Sequence, residues 1–579
     1  MFRHCNPFFE HLFEIIKLFF CSIQTILCYT YPYKKQAISE TTLRIRSNCL
    51  IHLKTEKEKY PLKSTDTFSQ KIHLKLTAPT EERPEGDRER ILAGLEQAGY
   101  YPARMTLHVL RMLYPLARNS SWDITVTAIW QEHEYLITNI ESGDTTQAHY
   151  GLAVDLGSTT VVMQLIDLNT SQVLAESKLM NGQIAFGDDI LTRIIYGKDD
   201  PARLQEITRA TCNTFSALLE QIEKSSGIPA ASCPMMIVSG NTTMVHFLLG
   251  LNPWTVFSSP YAPVACDPGF FTGTEIGLPF PGIVYFVPAI ANYLGGDITS
   301  GLLITDFYKK DGLSIFFDIG TNGELVLGNS SFLLAGAGAA GPALEGGISK
   351  YGMRALPGAI DTVKIDGASI CCTTIGNTKP VGICGSGIID LIAQMRLNGW
   401  IDVSGILNPS ASDRIVWLPE TEEYAAVYTL QEESANGQML YFSQTDIRQY
   451  LDTKAAAYTM IDCLLENAGF TPKDLTAFYT SGAFGTYADL ESAITVGIFP
   501  DLPRETFHCL QNSSLAGARE LLLHKSRIED IRYFQQTIYY IQFGSMPDFL
   551  LKMQAAKFIP HTDMQQYPSI AAKLLQKSS

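Results

Sequence analysis

The sequence predicts an α/β protein built from two lobes of one architecture, preceded by a small α+β module. The first observation is a segment that occurs twice, VDLGSTT at 154–160 and FDIGTNG at 317–323. Each copy is an apolar run ending in Asp, then glycine with small hydroxyl or amide residues, then a second β-rich run. This order indicates a strand, a tight turn and a returning strand. The second observation is that each half later opens a helix from a Gly/Ser turn, at 239–244 and at 385–387. We therefore predict an internal duplication at the level of the fold.

The α+β module is predicted at 71–150, after a divergent and poorly ordered N-terminal segment at 1–70. Alternating Ile72, Leu74 and Leu76 indicate a strand. Further along we predict a helix over 89–97, a second helix over 101–116 that stops near Pro115, and two strands over 122–140. Proline is expected to stop the second helix because it lacks a backbone N–H.

The remaining chain is predicted to form lobe I at 151–311 and lobe II at 312–545, with a C-terminal tail at 546–579. In lobe I, strands reach about residue 174, and a helical stretch follows over 190–224. Lobe II repeats the order of strands first and helices later. A loop rich in glycine and alanine at 335–347 interrupts it, and its small residues favour close approach to a ligand or partner.

Composition limits the function classes. With 579 residues, of which 46% are hydrophobic and 18% charged, the chain is long enough for two to four domains with sizeable cores. The net charge of -15 argues against a nucleic-acid surface. The twelve cysteines include no Cys-x-x-Cys pair, which fits a reducing cytosol and predicts a cytoplasmic protein. The uncharged stretch 18–33 is shorter than a membrane span needs, so none is predicted.

The two Asp-led turns have the chemistry of a nucleotide site. Glycine lets a turn bring main-chain N–H groups close to an anion, hydroxyl side chains add donors, and Asp can hold a hydrated divalent cation beside it. Asp155 and Asp318 are predicted to hold Mg²⁺ through water. The predicted ligands of a nucleotide's phosphates are Gly157, Ser158, Thr159, Thr160, Gly320, Thr321, Asn322 and Gly323. Each turn alone is equally consistent with an ordinary hairpin. Duplication of the whole pattern favours phosphate binding, and no P-loop motif competes with it.

Further candidates surround these turns. The turn at 481–485 is predicted to lie against a flat adenosine through Gly482, Ala483, Phe484 and Gly485. Asn241 and Thr242 are predicted to contact phosphate, although capping of the following helix is the somewhat better interpretation of Asn241. The predicted catalytic residues are Asp318, Glu324, which is placed to orient an attacking water, and Asp188.

Asp188 lies in the segment 187–190, which Arg193 follows in the sequence. This group is predicted to position water or to sense a partner near the phosphates. A helix N-terminus that favours paired acids is the slightly better interpretation.

These residues together resemble the superfamily of actin, sugar kinases and large heat-shock chaperones, whose lobes are ribonuclease H-like. A closer resemblance is to the reductive activators of corrinoid-dependent methyltransferases, from about Lys71 to near Asp548. It depends on long, unusual strings, namely DIGTNGE at 318–324, AGAGAAGPALEGG at 335–347, GICGSG at 382–387, GDDI at 187–190 with Arg193, SGNTTM at 239–244 and SGAFG at 481–485.

The resemblance implies a two-lobed actin-like ATPase that binds ATP and Mg²⁺. It also implies a partner corrinoid protein whose cobalt has reached the inactive Co(II) state and is reduced to Co(I). Members typically carry an N-terminal [2Fe-2S] ferredoxin domain with a Cys-x4-Cys-x2-Cys pattern. Cys5, Cys21, Cys28 and Cys49 do not match this spacing, so no iron-sulfur cluster is expected in this chain.

This departure leaves three interpretations: a separate ferredoxin delivers the electrons, the N-terminal domain is missing from this sequence, or the protein has another role. A smaller departure is Gln511, where the family usually has glycine. A homodimer is left open. The alternative functions are a small-molecule kinase of the sugar kinase type and a nucleotide-binding regulatory scaffold that does not hydrolyse ATP.

Overall fold

The structure, a computed structural model, describes residues 66–320, 322–338, 347–482, 485 and 488–578. The chain divides into two compact units, Met1–Lys63 and Ser64–Ser579, and all described residues belong to the second. Of the predicted features, most of segment 1–70, Thr321, most of the Gly/Ala loop, Ala483 and Phe484 lie outside the described residues.

The first part of the described chain is the small α+β module. In its sheet, β1 pairs antiparallel with β3, β3 antiparallel with β4, and β2 parallel with β4. Its elements are β1 (Ser69–Lys75), α1 (Asp87–Gln97), β2 (Ala103–Met105), α2 (Leu107–Asn119), β3 (Asp123–Gln131) and β4 (Glu134–Ser142).

The predicted end of the second helix near Pro115 is wrong, because α2 continues through Pro115 to Asn119. Leu113 and Ala117 flank the proline and are buried. Their packing offsets the hydrogen bond that the proline removes. The predicted start at 101 is also wrong, because 103–105 form β2.

Lobe I contains a mixed six-stranded sheet in the order β7-β6-β5-β8-β10-β9. The predicted continuous helical stretch 190–224 is two helices, and the second begins with Pro201 at its first turn, where proline is tolerated. The elements are β5 (Tyr150–Leu156), β6 (Thr160–Asp167), β7 (Val173–Met180), α3 (Ile190–Gly197), α4 (Pro201–Ser226), β8 (Met235–Gly240), α5 (Thr242–Leu249), α6 (Trp254–Phe257), β9 (Phe270–Thr272), β10 (Ile283–Phe286) and α7 (Gly296–Leu303).

Lobe II contains a second six-stranded sheet, in the order β21-β20-β11-β12-β13-β22, and two three-stranded sheets. Its elements are β11 (Ser314–Ile319), β12 (Gly323–Gly328), β13 (Leu333–Gly338), β14 (Ala359–Asp366), β15 (Ser369–Thr374), β16 (Gly382–Ile383), α8 (Gly385–Leu397), β17 (Ile415–Leu418), β18 (Glu423–Thr429), β19 (Leu440–Ser443), α9 (Gln444–Asn467), β20 (Ala477–Ser481), α10 (Leu490–Val496), β21 (Phe507–Cys509), α11 (Ser513–Leu523), α12 (Ile528–Thr537), β22 (Ile538–Ile541), α13 (Phe549–Ala556) and α14 (Pro568–Ser578).

The two large sheets repeat one topology. In lobe I, β5 pairs antiparallel with β6, β6 antiparallel with β7, and β5 parallel with β8, which pairs parallel with β10. In lobe II, β11, β12, β13, β20 and β21 have the same pairings in the same order. The predicted duplicated α/β fold is therefore confirmed.

Helices α7 and α11 join the lobes. Ile298 and Leu302 of α7, Leu515 and Leu522 of α11, and Phe316 of the lobe II sheet belong to one buried apolar cluster. The two helices approach so closely that a Cβ on Gly517 would lie 2.0 Å from the Ser300 carbonyl oxygen. Only glycine fits at this crossing, so α11 of lobe II is packed directly on lobe I.

The residues after 545 pack on lobe II, where Ala556, Ile559, Tyr567 and Ile570 enter its main core cluster. No helix in the described part of the chain is both long and apolar enough to span a bilayer.

Candidate functional site: an acidic crevice between two duplicated turns

The two Asp-led turns occupy equivalent places in the two sheets. Asp155 is paired in register with Ser239 across β5 and β8, and Asp318 with Ser481 across β11 and β20. Parallel strands carry such side chains to the same edge of the sheet, where ligands bind in α/β proteins. Burial raises the pKa of Asp318, and the charge of Asp155 raises it further, so the two carboxylates lie near one another. The structure therefore brings both predicted aspartates to one crevice.

The carbonyl groups of the first turn all accept hydrogen bonds from protein donors. The carbonyl oxygens of Gly157 and Thr159 accept hydrogen bonds from Asn181, at 2.8 and 2.9 Å. The Ser158 carbonyl accepts one from Arg193 Nη1 at 2.7 Å. No acceptor for the backbone N–H of Ser158 or Thr159 occurs among the described residues. Because orphan N–H groups in a tight turn bind anions, this geometry suits phosphate.

Glycine is required inside this turn. The backbone N–H of Gly157 donates to the Thr160 carbonyl at 3.1 Å. A Cβ on Gly157 would lie 2.6 Å from that same oxygen, so a side chain would open the turn.

The second turn is closed by a hydrogen bond of 2.9 Å from the Gly320 N–H to the Asn322 carbonyl. Gly482 lies against its strand with φ +81°, and a Cβ there would lie 2.3 Å from the Ile319 carbonyl and 2.7 Å from Asp318 Oδ1. Gly240 has the equivalent place in lobe I, where a Cβ would lie 2.8 Å from the Leu156 carbonyl oxygen. The duplication thus extends to the close approach of two strands beside each aspartate.

The N-terminus of α11 connects both turns. Ser514 Oγ donates to Asp155 Oδ1 at 2.7 Å and lies 2.8 Å from the hydroxyl of Ser239. The preceding Ser513 lies 2.5 Å from the hydroxyl of Ser481, which in turn donates a hydrogen bond to Asp318. Adjacent serines of one helix therefore contact the equivalent serines of the two sheets.

Asn512 completes the contact with lobe I. Its Nδ2 donates to Asp155 Oδ2 at 2.9 Å, while its Oδ1 caps α11 by accepting from the Leu515 N–H at 2.9 Å. Both carboxylate oxygens of Asp155 are therefore bound by residues of lobe II.

Two more carboxylates complete the crevice. Burial raises the pKa of Asp297 to about 8, and the charges of Asp318 and Asp155 add to this effect. The pKa of Glu324 is raised well above its ordinary value by burial and by Asp297 and Asp318. Burial and Asp155 raise the pKa of Asp318 to about 6. Each of these three side chains is partly exposed. The carboxylates therefore repel one another at a place that a ligand can reach.

This repulsion fits a divalent cation. In the described part of the chain, no three His, Cys, Asp or Glu side chains are grouped closely enough to enclose a metal ion directly. Carboxylates spread around a crevice suit Mg²⁺, which retains water and takes few protein ligands. Asp155 and Asp318, with Asp297 and Glu324 nearby, could hold such an ion through its waters.

Other predicted site residues have structural partners. The side chain of Asn241 caps α5 by accepting from the Met244 N–H at 3.0 Å, and the hydroxyl of Thr242 donates to the Ala291 carbonyl at 3.2 Å. Asp188 is exposed, whereas Asp189 caps α3 by accepting from the Thr192 N–H at 2.9 Å. The helix-capping interpretation thus accounts for Asn241 and for Asp189.

Sequence reasoning missed Asp297, Ser513 and Ser514. Asp297 follows two glycines at the start of α7, and a Cβ on Gly295 would lie 2.4 Å from the Cα of Asn241. Glycine-glycine-acid after a strand is a signal that the sequence offers. For the serines of α11 the sequence offers no comparable signal, because their role depends on how the lobes pack.

This chain is similar to known proteins over most of its length. Three family models match the chain: the RACo linker region over 63–147, the RACo middle region over 150–310, and the C-terminal ASKHA domain of RACo over 312–571.

Similar proteins have been characterised in two organisms. A corrinoid activation enzyme from Eubacterium limosum is 32% identical over 424 residues, which are 72% of this chain and 71% of the relative. A reductase of a Co(II) methylated amine-specific corrinoid protein from Methanosarcina barkeri is 28% identical, over 66% of this chain and 71% of the relative.

A solved structure, a reductive activator for a corrinoid, iron-sulfur protein, has 34% identity and a TM-score of 0.80, and the match covers 88% of this chain and 82% of that one. The resemblance stated from the sequence motifs is confirmed.

Proposed function

Because this chain belongs to the RACo family of reductive activators, we propose that it reactivates a corrinoid protein by coupling ATP binding and hydrolysis to the reduction of Co(II) to Co(I). The observation that supports ATP as the energy source is the crevice where two Asp-led turns from duplicated lobes meet. A corrinoid protein is proposed as the substrate because the names of the relatives refer to corrinoid activation and to reduction of a corrinoid protein.

The ATP would be held from both sides. Phosphates would accept hydrogen bonds from the orphan N–H groups of Ser158 and Thr159 in lobe I and from the turn 320–323 in lobe II. The adenosine would lie against the backbone of the turn that contains Gly482 and Gly485. Mg²⁺, when bound near Asp155 and Asp318, supplies positive charge that offsets the repulsion among the carboxylates.

Asp297 and Glu324 would bind and orient the attacking water. Burial and the neighbouring carboxylates raise the pKa of both residues. A carboxyl group with a pKa near the working pH is well suited to accept a proton from water. We therefore propose Asp297 beside Glu324 as the water-activating residues, and Asp188, which is exposed, becomes the weakest of the predicted catalytic residues.

Lobe movement would couple ATP to the cobalt. A ligand that contacts turns on two lobes can change how far the lobes close. If the corrinoid protein contacts both lobes, their closure would change the environment of its cobalt. Each cobalt requires one electron, and we propose that a separate ferredoxin supplies it.

The test is ATP turnover by the purified chain with and without a Co(II) corrinoid protein. We expect turnover that the Co(II) protein stimulates, and Co(I) formation, followed by its visible absorbance, only when ATP and a low-potential reductant are both present. Turnover without any binding to corrinoid proteins would contradict the proposal. Formation of a phosphorylated small molecule would support the kinase alternative. Unchanged corrinoid reactivation by an Asp318→Asn variant would support the scaffold alternative.

A further inference from the structure

Arg354 lies on lobe II in a backbone segment that is tightly fixed. Gly352 is bridged to Ile383 of β16. The Met353 N–H donates to the Ile383 carbonyl at 2.9 Å, and the Leu356 N–H donates to the Arg354 carbonyl at 2.8 Å. The position of the Arg354 Cα is thus set by lobe II.

The side chain of Arg354 reaches the other lobe. Its Nη1 lies 3.9 Å from Sδ of Met180, the last residue of β7. Met180 is paired in register with Thr160, the residue that ends the first phosphate turn. The guanidinium group therefore lies beside this turn while its backbone belongs to lobe II.

A second arginine holds the same turn from behind. Arg193 is 1% exposed and donates hydrogen bonds to the Ser158 and Gly187 carbonyls at 2.7 and 2.8 Å. Burial is the main cause that lowers the pKa of Arg193, and the charge of Arg354 lowers it further. Arg193 thus contacts the turn directly, and Arg354 lies close enough for its charge to affect Arg193.

Arg354 forms no salt bridge within the described ranges. An exposed arginine without a carboxylate is common on surfaces. This one differs because it crosses to an opposite lobe, beside a turn with unused N–H donors, in a chain of net charge -15. An anion between the two lobes would satisfy the guanidinium and the N–H groups together.

We propose that Arg354 binds the terminal phosphate of ATP from lobe II and thereby holds the lobes closed on the triphosphate. This proposal depends on the proposed function, which places adenosine on the turn at 482–485 of lobe II. The phosphate chain then extends from lobe II towards lobe I, and the first turn receives its outer end. ADP lacks this phosphate, so Arg354 distinguishes ATP from ADP.

The experiment compares Arg354→Gln, Arg354→Lys and the unaltered full-length chain. A matched control is Arg448→Gln, an exposed arginine of α9 in the same lobe. The measurements are the dissociation constants of Mg-ATP and Mg-ADP, the kcat and KM of ATP hydrolysis, and the unfolding temperature without nucleotide.

For Arg354→Gln we expect about a 10-fold weaker ATP complex, ADP affinity within about 2-fold, and a kcat lower by about 10- to 100-fold. Arg354→Lys should recover part of the ATP preference, because it restores the charge without the planar fork. The unfolding temperature should stay unchanged, and Arg448→Gln should behave like the unaltered chain.

Equal weakening of ATP and ADP, or an unchanged ATP preference and kcat in Arg354→Gln, would overturn the assignment of Arg354 alone. Failure of the unaltered chain to bind either nucleotide would overturn the proposed function and this inference with it. The two failures are therefore distinguishable in one set of titrations.

Discussion

The two Asp-led turns share a topology but differ in what holds their aspartates. Both oxygens of Asp155 accept hydrogen bonds from lobe II, from Asn512 and Ser514. Asp318 accepts a hydrogen bond from Ser481 of its own sheet and faces Asp297, whose pKa its charge raises. The first aspartate is thus part of the contact between lobes as well as of the proposed cation site, whereas the second has no hydrogen bond of this kind from the opposite lobe in the described part of the chain.

The two lobes therefore share a backbone arrangement, but the lobe interface gives Asp155 and Asp318 different surroundings and different roles. Burial raises the pKa of Asp155, and the hydrogen bonds from Ser514 and Asn512 oppose that rise, so lobe II reduces the cost of burying this carboxylate. One surrounded by other carboxylates decreases stability until a ligand offsets its charge. The same residue type can therefore support the fold in one lobe and chemistry in the other.

The largest expected effect is on Asp318. Replacing it with Asn should lower ATP turnover by about 100-fold or more, because the carboxylate nearest the proposed cation is lost. The unfolding temperature should stay equal or rise, since the change removes repulsion from the crevice. Steady-state ATP hydrolysis and thermal unfolding measure these effects. Asp188→Asn, at an exposed carboxylate, is the control, and equal losses in both variants would remove the proposed distinction.

The interlobe contact is tested at Asn512. Asn512→Asp keeps an acceptor for the α11 cap but places a second negative charge beside Asp155. We expect the free energy of unfolding at neutral pH to fall by about 2 kcal/mol, as measured by chemical denaturation. Asn512→Ser also keeps a cap and adds no charge, so it should lose about 1 kcal/mol. If the Asp variant is as stable as the unaltered chain, Asp155 is not held by lobe II.

The strands that lead to the two turns should respond differently to acid. His149 precedes β5, is 5% exposed and lies 2.8 Å from the Ser69 hydroxyl. Burial, with a smaller contribution from Lys71, lowers its pKa to about 4. At the start of β11, Thr476, which does not titrate, donates to the Leu313 carbonyl at 2.9 Å. Only the first strand therefore begins at a titratable group.

In the unfolded chain a histidine takes up a proton near pH 6.5, but folded His149 does so only near pH 4. Its contribution to stability is therefore complete above pH 6.5 and falls by on the order of 3 kcal/mol as the pH drops towards 4. His149→Gln should flatten the stability profile in this window, and the exposed His133→Gln should not. In the unaltered chain, hydrogen exchange at pH 5 should increase more in β5 than in β11. Equal exchange in both strands would contradict this prediction.

The smallest effect is expected at Gln511, next to the contact between lobes. Gln511 has φ +54°, a left-handed conformation that glycine adopts without strain. This backbone accounts for the glycine that the family usually has there. Gln511→Gly should raise the free energy of unfolding by up to about 1 kcal/mol, as measured by denaturant titration, with ATP turnover unchanged. A clear loss of stability would show that the Gln side chain has contacts worth more than the strain.

Much of the site could be predicted from local sequence. Gly157 and the glycines of the second turn signal tight turns, and Asp before such a turn signals a cation, because these properties depend on a few adjacent residues. The Pro115 error has the opposite cause. The proline signal is local, but burial of Leu113 and Ala117 decided that α2 continues.

By itself, then, the sequence determined the duplicated strands, the two Asp-led turns and the family, since each depends on residues that adjoin along the chain. Only the tertiary structure decided that Asp297 belongs to the acidic crevice, that Asp155 is held by the opposite lobe, and that Arg354 reaches Met180. The contacts of Asp155 and Arg354 require segments more than a hundred residues apart to meet, and Asp297 must approach both Asp318 and the distant Asp155. The packing of α7 against α11 and the pairing of strands bring them together, and no local pattern records either.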